Sequence, residues 1–275
     1  MKTQIGLTAV LTTGVLALAA CGAGSSGGSA TSGSDANTVR VGIKFDQPGM
    51  GLKEGNEYTG FDVDVAKYVA TELGRTPQFS EAPTPQRETL LKTGQLDYIV
   101  GTYSITDKRK QEVSFAGPYF IAGQDLLVRA DESAITGPET LSGKKLCSVK
   151  GSTPAQKVKE KYPQVQLQEY DTYSKCVEEL VNGTVDALTT DNTILAGYAA
   201  QDQYKGKLKV VGKTFSEERY GIGVKKGDTA LCQQITDALK KMVSSGQWQK
   251  VVDANLGPAG FTPDAKNPPT PEACS

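Results

Sequence analysis

Apolar and polar positions alternate at Val39, Val41 and Ile43, the two-residue period of a strand. From Phe61 to Leu73 the spacing changes to that of a helical face, and Gly74 stands where such a helix stops. Thr84-Pro85 predicts a second helix, with Thr84 as N-cap and Pro85 at the first helical position, ending at Gly94. Further on, a strand over Lys145–Val149 runs into Lys150-Gly151-Ser152-Thr153-Pro154, where Pro154 suits another helix start. Strand signals alternate with helix signals, which predicts an α/β fold whose sheets are mainly parallel and flanked by helices.

One segment occurs twice in outline. Leu91-Lys92-Thr93-Gly94-Gln95-Leu96-Asp97-Tyr98-Ile99-Val100 and Leu180-Val181-Asn182-Gly183-Thr184-Val185-Asp186-Ala187-Leu188-Thr189 both read as helix, glycine stop, short turn and apolar strand. Two copies are too few for a solenoid and describe two lobes of similar construction. Two lobes imply a cleft. Ligands of open α/β sheets sit beyond the carboxyl ends of the strands, so Thr102 to Arg109 and Thr190 to Asp191 are the first candidates for a site. The amides ahead of Pro154 face outward from a helix start, which favours a carboxylate or phosphate.

The N-terminus turns this picture into that of an exported protein. Met1-Lys2 precedes an apolar run from Ile5 to Ala20 that is short and interrupted by Thr and Gly, so residues 1–20 read as a signal peptide. Leu18-Ala19-Ala20-Cys21 resembles a bacterial lipobox, in which cleavage leaves Cys21 to carry lipid; ordinary cleavage at a small-residue site is the alternative. Residues 21–37, rich in Gly, Ser, Ala and Thr, read as a flexible tether. Export makes disulfides of the four remaining cysteines. Three pairings are open; the favoured one joins Cys147 to Cys176 within one predicted lobe, and Cys232 to Cys274, which pins a Pro-rich tail over residues 263–275.

Charge and composition narrow the chemistry. The chain has 30 Lys and Arg against 31 Asp and Glu, and removing residues 1–20 takes away only Lys2, so no polycationic surface for nucleic acid is expected. With no histidine anywhere, a Ser-His-Asp hydrolase and histidine acid/base catalysis are excluded. Without histidine or a close-spaced cysteine pair, neither a metal nor another cofactor is expected. Gly151-Ser152-Thr153 lacks the Gly-Lys-Ser/Thr ending of a phosphate loop.

Five blocks stand out along the chain: Gly60-Phe61-Asp62-Val63-Asp64-Val65-Ala66, Ser104-Ile105-Thr106-Asp107-Lys108-Arg109, Phe115-Ala116-Gly117-Pro118-Tyr119, Lys150-Gly151-Ser152-Thr153 and Tyr220-Gly221-Ile222-Gly223-Val224-Lys225-Lys226-Gly227. Together they resemble the extracellular solute-binding proteins for polar amino acids, family 3, of the two-lobed type II class. They follow the family's order from about Val39 to Gly257. Gly42-Ile43-Lys44-Phe45-Asp46-Gln47-Pro48-Gly49 further resembles the glutamate-binding lipoproteins of high-GC Gram-positive bacteria. The resemblance implies two hinge crossings, near Ile121–Leu126 and Thr214–Tyr220. Lobe 1 is then residues 38–122 plus 217–262, and lobe 2 residues 123–216. It also implies a monomer lipid-anchored to the extracellular face of the membrane. Such a protein captures an amino acid and delivers it to an ABC permease with its ATPase.

By that resemblance Arg109 holds the ligand α-carboxylate and Asp191 its ammonium. Planar guanidinium suits bidentate carboxylate binding. The residues alone favour a surface arginine beside Lys108 and Lys110, and are equally compatible with Asp191 as a helix N-cap. Ser104 and Thr102 are expected to contribute from lobe 1, Thr153 and Thr190 from lobe 2. Lys44 and Arg87 add two positive groups to Arg109, which favours a ligand with two carboxylates, unless Asp46 or Glu88 neutralises one of the cations. Glutamine, aspartate or another polar amino acid is the alternative ligand. Phe45 and Tyr220 are expected to pack over the ligand's aliphatic part, or to be ordinary core. The rival classes are a carboxylate-dependent dehydratase on the same fold and a purely structural surface lipoprotein.

Overall fold

The computed structural model describes residues 37–275. The signal segment, Cys21 and nearly all of the tether lie outside the described residues. β1 (Thr38–Ile43) leads into a small antiparallel sheet of β2 (Asp46–Gln47), β3 (Gly51–Glu54) and β4 (Glu57–Thr59). There follow α1 (Phe61–Glu72), β5 (Thr76–Glu81), α2 (Arg87–Lys92), β6 (Tyr98–Ile99), the short α3 (Asp107–Lys110) and the long β7 (Val113–Ala122). The next run is β8 (Gln124–Arg129), β9 (Lys145–Val149), α4 (Thr153–Lys161), β10 (Gln166–Tyr170), α5 (Tyr173–Val181), β11 (Ala187–Asp191), α6 (Asn192–Ala200) and β12 (Leu208–Val210). β13 (Glu218–Lys225), α7 (Thr229–Ser244) and α8 (Gln247–Asn255) close the order.

Two five-stranded sheets result, with orders β5-β1-β6-β13-β7 and β10-β9-β11-β8-β12. The orders are equivalent. In each sheet three neighbouring strands are parallel, and one strand, β13 or β8, runs antiparallel to both its neighbours. The parallel direction therefore dominates, and the reversed strand of each sheet adjoins a passage between lobes. β7 passes to β8 through Gly123, and the chain returns from β12 to β13.

The repeated segment explains much of this likeness. Gly94 and Gly183 both take the left-handed turn conformation, at φ 69 and 76, which glycine adopts without a Cβ penalty. The aspartate three residues on then ties each turn to the first parallel strand of its own sheet. Asp97 Oδ2 accepts from the Arg40 amide at 2.7 Å, and Asp186 Oδ2 from the Lys145 amide at 2.9 Å.

The predicted helix after Thr84 forms differently. Residues Thr84–Gln86 make a 3-10 turn with Pro83 in the N-cap position, and the α-helical part begins at Arg87. Thr84 is therefore no N-cap; two prolines flanking it fix the entry, and its side chain is free for the cleft. By contrast Ser152 does cap α4, its Oγ accepting from the Ala155 amide at 3.1 Å.

The main core joins α1, α7 and α8 to the first sheet. Phe61, Phe120, Tyr220 and Trp248 are buried there, with the Phe120 ring stacked on Tyr220 at 5.9 Å and on Trp248 at 5.8 Å. Cys147 is bonded to Cys176 and Cys232 to Cys274. The second bond holds the C-terminal tail along β7, where the Glu272 amide donates to Gly117 O at 2.8 Å. Upstream of it, the Asn267 side chain pairs with both backbone groups of Ile121, at 2.9 and 2.8 Å, beside the passage to β8.

Candidate functional site

The carboxyl ends of β6 and β11 face one another across a narrow, nearly closed cavity. Gln47, Thr84, Arg87, Thr102 and Arg109 line it from the lobe of the first sheet. Ser152, Thr153, Pro154, Tyr173, Asp191 and Ile194 line it from the other. Of the sequence-predicted residues, the structure thus brings Arg109, Arg87, Thr102, Thr153 and Asp191 to one wall-to-wall space.

Arg109 emerges from α3, whose N-cap Thr106 accepts from the Arg109 amide at 3.2 Å. Its guanidinium donates to Ser104 O at 2.9 Å within its own lobe and to Gly151 O at 3.1 Å across the cleft. Glu88 lies 3.5 Å from its Nε. Burial, followed by the nearby Arg87 charge, pushes the guanidinium down to about 10. Arg87 donates to Gly101 O at 2.8 Å, and its buried Nε has no hydrogen-bond partner in the protein. Lys44 does not line the cavity. It is 1% exposed, and its Nζ lies 3.7 Å from Asp46 Oδ1, so its charge is met locally.

Asp191 sits in the N-cap position of α6 without making the cap bond. Its Oδ2 instead accepts from the Tyr220 hydroxyl at 2.6 Å, and Oδ1 is buried with no hydrogen-bond partner in the protein. Burial, with the Glu218 charge adding to it, raises this carboxyl to about 7, against the opposing bond from Tyr220. A cation placed at Oδ1 would reverse that shift. Thr190 is fully buried next to it, off the cavity lining, and its Oγ1 is likewise without a partner. Ser104 meets Thr153 hydroxyl to hydroxyl across the cleft at 3.1 Å, and Thr153 Oγ1 donates to Glu218 at 3.0 Å.

The two aromatic expectations need correction. Phe45 is turned away from the cavity against Tyr58, ring centroids 5.5 Å apart, with the Lys53 ammonium over it at 5.0 Å. That ring is placed by the small sheet, whose strands begin one residue later. Tyr220 lies in the core and reaches the site only through its hydroxyl, which orients Asp191.

Around the cavity, some tasks are set by partners far along the chain. Thr102 has φ 45, an uncommon and strained conformation for a β-branched residue. Asp62, wholly buried at the start of α1, holds it there by accepting from the Thr102 amide at 2.7 Å, and accepts from the Tyr119 hydroxyl at 2.7 Å as well. Burial raises Asp62 to about 7 against those two bonds. Asp62 lay in a quoted block, but only its pairing partners, 40 and 57 residues away, reveal its task. Asp46 reaches across the cleft, its Oδ2 accepting from the Tyr173 amide at 2.9 Å at the start of α5.

This arrangement is that of a closed two-lobed binding cleft, and the match along the chain agrees. The family of bacterial extracellular solute-binding proteins, family 3, matches residues 39–258. The chain belongs to it. This solute-binding protein is 48% identical over 254 residues to the glutamate-binding protein GluB of Corynebacterium glutamicum, covering 87% of this chain and 85% of that one. It is 39% identical over 266 residues to the ABC transporter glutamine-binding protein GlnH of Bacillus subtilis, with 91% and 96% covered. Among solved structures, an ancestral arginine-binding protein bound to arginine superposes with TM-score 0.76 at 37% identity, covering 80% of this chain and 99% of that one. The fold is that of the type II amino-acid-binding proteins.

Proposed function

We propose that this solute-binding protein captures glutamate by hinge closure and delivers it to the permease and ATPase of an ABC importer. The carrying observation is the charge of the cavity wall. Arg87, Arg109 and Asp191 are the charged residues that line it, a net charge of +1 that complements an amino acid of net charge −1; Glu88, off the lining but 3.5 Å from Arg109 Nε, offsets part of the Arg109 charge and leaves Arg87 as the cation for a second carboxylate. Arg109 takes the α-carboxylate, Asp191 Oδ1 the ammonium, and Arg87 the side-chain carboxylate. Thr102, Ser104 and Thr153 complete the polar shell, and Thr190 and Tyr220 support Asp191. Lys44, paired with Asp46 and off the cavity lining, takes no part in ligand binding. Glutamine leaves one guanidinium without its anion in a desolvated space, which is costly. The 48% identity to a glutamate-binding relative supports the same ligand.

The lobes comprise residues 38–122 with 217–262, and residues 123–216; both crossings flex, and the closed lobes mark the loaded state for the permease. Cys21 carries the lipid anchor at the extracellular face of the membrane, and the protein works as a monomer. Among the described residues Asp191 is the only carboxylate lining the cavity, which favours binding over a carboxylate-dependent dehydratase. Three charge-assisted contacts, each about 1.5 to 3 kcal/mol, less the ordering cost, support micromolar or tighter affinity, about −8 kcal/mol. Isothermal titration of ligand-stripped protein with glutamate, aspartate, glutamine and arginine tests this. Glutamate is expected to bind most tightly, with binding abolished in Arg109→Ala and selectivity shifted toward glutamine in Arg87→Met. A wild-type preference for glutamine or arginine overturns the charge argument.

A further inference from the structure

Tyr103 does not line the cavity, yet it touches both of its cations. The guanidinium carbon of Arg87 stands 4.2 Å from the centroid of the Tyr103 ring, and that of Arg109 stands 4.9 Å from it. Like charges gathered at one end of a cavity repel. After burial, the Arg87 charge is the largest influence against the charged form of Arg109. The face of an aromatic ring carries negative potential, and a desolvated face attracts a guanidinium more strongly than a wet one. Tyr103 is fully buried. Its ring therefore holds together two groups that would otherwise move apart.

The seat of the ring is itself well defined. Phe115 meets it edge-on, centroids 4.9 Å apart and planes at 71°. From β13, Gly223 leaves it room: a Cβ there would stand 2.7 Å from Tyr103 Cε1 and 3.0 Å from Cδ1. The hydroxyl is buried near the Glu88 carboxylate without a hydrogen bond of good geometry, so the packing of Phe115 and Gly223 around the ring is the main constraint on the residue.

We infer that Tyr103 is a positioning residue that sets selectivity for an amino acid with two carboxylates over its carboxamide counterpart, by holding Arg87 beside Arg109. This rests on the reading of the cavity as a glutamate site. The two arginines do not depend on the ring equally. Arg109 keeps Ser104 O, Gly151 O and Glu88 when the ring is removed, whereas Arg87 keeps only the bond to Gly101 O. Arg87 therefore shifts more, and the ligand that uses it for a second carboxylate loses more than the ligand that does not.

The test is calorimetric titration of the full mature chain with glutamate and with glutamine, for wild type, Tyr103→Leu, Tyr103→Phe and Gly223→Ala, each with its melting temperature. In Tyr103→Leu, glutamate affinity is expected to fall at least about tenfold further than glutamine affinity, the order that a desolvated cation–π contact supports. Tyr103→Phe, which keeps the ring, restores the wild-type ratio. Gly223→Ala pushes the ring from behind without touching the cavity, and lowers the ratio in the same direction. Equal losses for both ligands in Tyr103→Leu, or an unchanged ratio in folded Gly223→Ala, overturn the inference and leave the ring a core residue. A wild-type preference for glutamine fails differently: it removes the glutamate reading itself, before any variant is compared.

Discussion

Replacing Gly197 by alanine should weaken ligand binding without touching the ligand. Gly197 lies in α6 of one lobe and faces the backbone of Pro48 in the other, where an added Cβ would stand 2.0 Å from Pro48 O and 2.9 Å from its carbonyl carbon. Ordinary contact begins at 3.4 Å, so the lobes must part by about 1.4 Å at this point. A backbone carbonyl cannot rotate out of the way as a side chain can. Two residues upstream, Asp46 accepts from the Tyr173 amide at 2.9 Å and the Ser174 amide at 3.4 Å, capping α5 across the cleft. Its own carbonyl accepts from the Tyr198 hydroxyl. Parting the lobes stretches the first of these to roughly 4 Å, outside hydrogen-bond range. A charge-assisted bond contributes about 1.5 to 3 kcal/mol, so the closed form should lose about ten- to a hundredfold in stability relative to the open one. Because alanine favours the helix by about 1 kcal/mol over glycine, the fold itself should not suffer. Titration calorimetry and stopped-flow dissociation read the effect, which should fall mainly on the off-rate, and small-angle scattering reads lobe separation in saturating ligand. A folded Gly197→Ala protein with wild-type affinity and off-rate refutes the account of closure.

Four further outcomes follow from two buried carboxyls and one disulfide. Asp191 is raised to about 7 in the closed cleft without ligand, whereas the proposed contact with the ligand ammonium requires its ionised form. Below pH 7 binding must therefore release a proton, and Kd should rise by up to about tenfold per pH unit, with proton release visible in calorimetry across buffers of different ionisation enthalpy; a flat Kd from pH 8 to 5.5 contradicts this. Asp62, also raised to about 7, binds a proton in the folded state that it lacks when unfolded between about pH 4 and 7, so it makes the ligand-free protein more stable at pH 5 than at pH 8 in urea titrations. Asp62→Ala strands the Thr102 amide and the Tyr119 hydroxyl and should cost about 2 to 6 kcal/mol, and Asp62→Asn less, by the same measurement. Cys274→Ser opens a link spanning 42 residues and should cost up to about 4 kcal/mol, with faster amide exchange around Ile121 as the tail releases Asn267.

Local pattern carried the elements whose causes are local. Alternation marked β1, glycine stops marked the ends of α1 and of both repeated segments, and Ser152 with Pro154 marked the start of α4. Where the cause lies far along the chain, the pattern was silent. β13 runs antiparallel between β6 and β7 because the chain returns to the first sheet more than ninety residues after leaving it, between Ala122 and Glu218. Thr84 met the usual description of an N-cap, yet the prolines on either side imposed a 3-10 turn before α2. At the site, residue type and motif order identified Arg109, Arg87, Thr102, Thr153 and Asp191 as candidates, and all five meet at one cavity. Lys44 and Phe45 were adjacent to it in sequence only. Asp46, two residues beyond Lys44, answers its charge, and the small sheet carries Phe45 toward Tyr58. Asp62 and Tyr103 act through bonds and contacts to other residues, a role that no composition or spacing displays.

The placement of the charged groups also explains why closure should depend on ligand. The segment from Asp46 to Pro48 joins the lobes through contacts that need no ligand, and these favour the closed form at all times. Against them stands the cost of withdrawing Asp191 and Arg109 from water, visible in the upward shift of one and the downward shift of the other. The two charges belong to different lobes, and in the closed structure Arg109 turns to the carbonyls of Ser104 and Gly151 while Asp191 turns to Tyr220. They do not neutralise each other directly. In the proposed binding mode an amino acid bridges them, its ammonium at Asp191 Oδ1 and its carboxylate at Arg109, so the same desolvation that opposes empty closure would become an attraction once the ligand is present. The latch sets how close the balance lies to closing, and the bridged charges decide which way it falls.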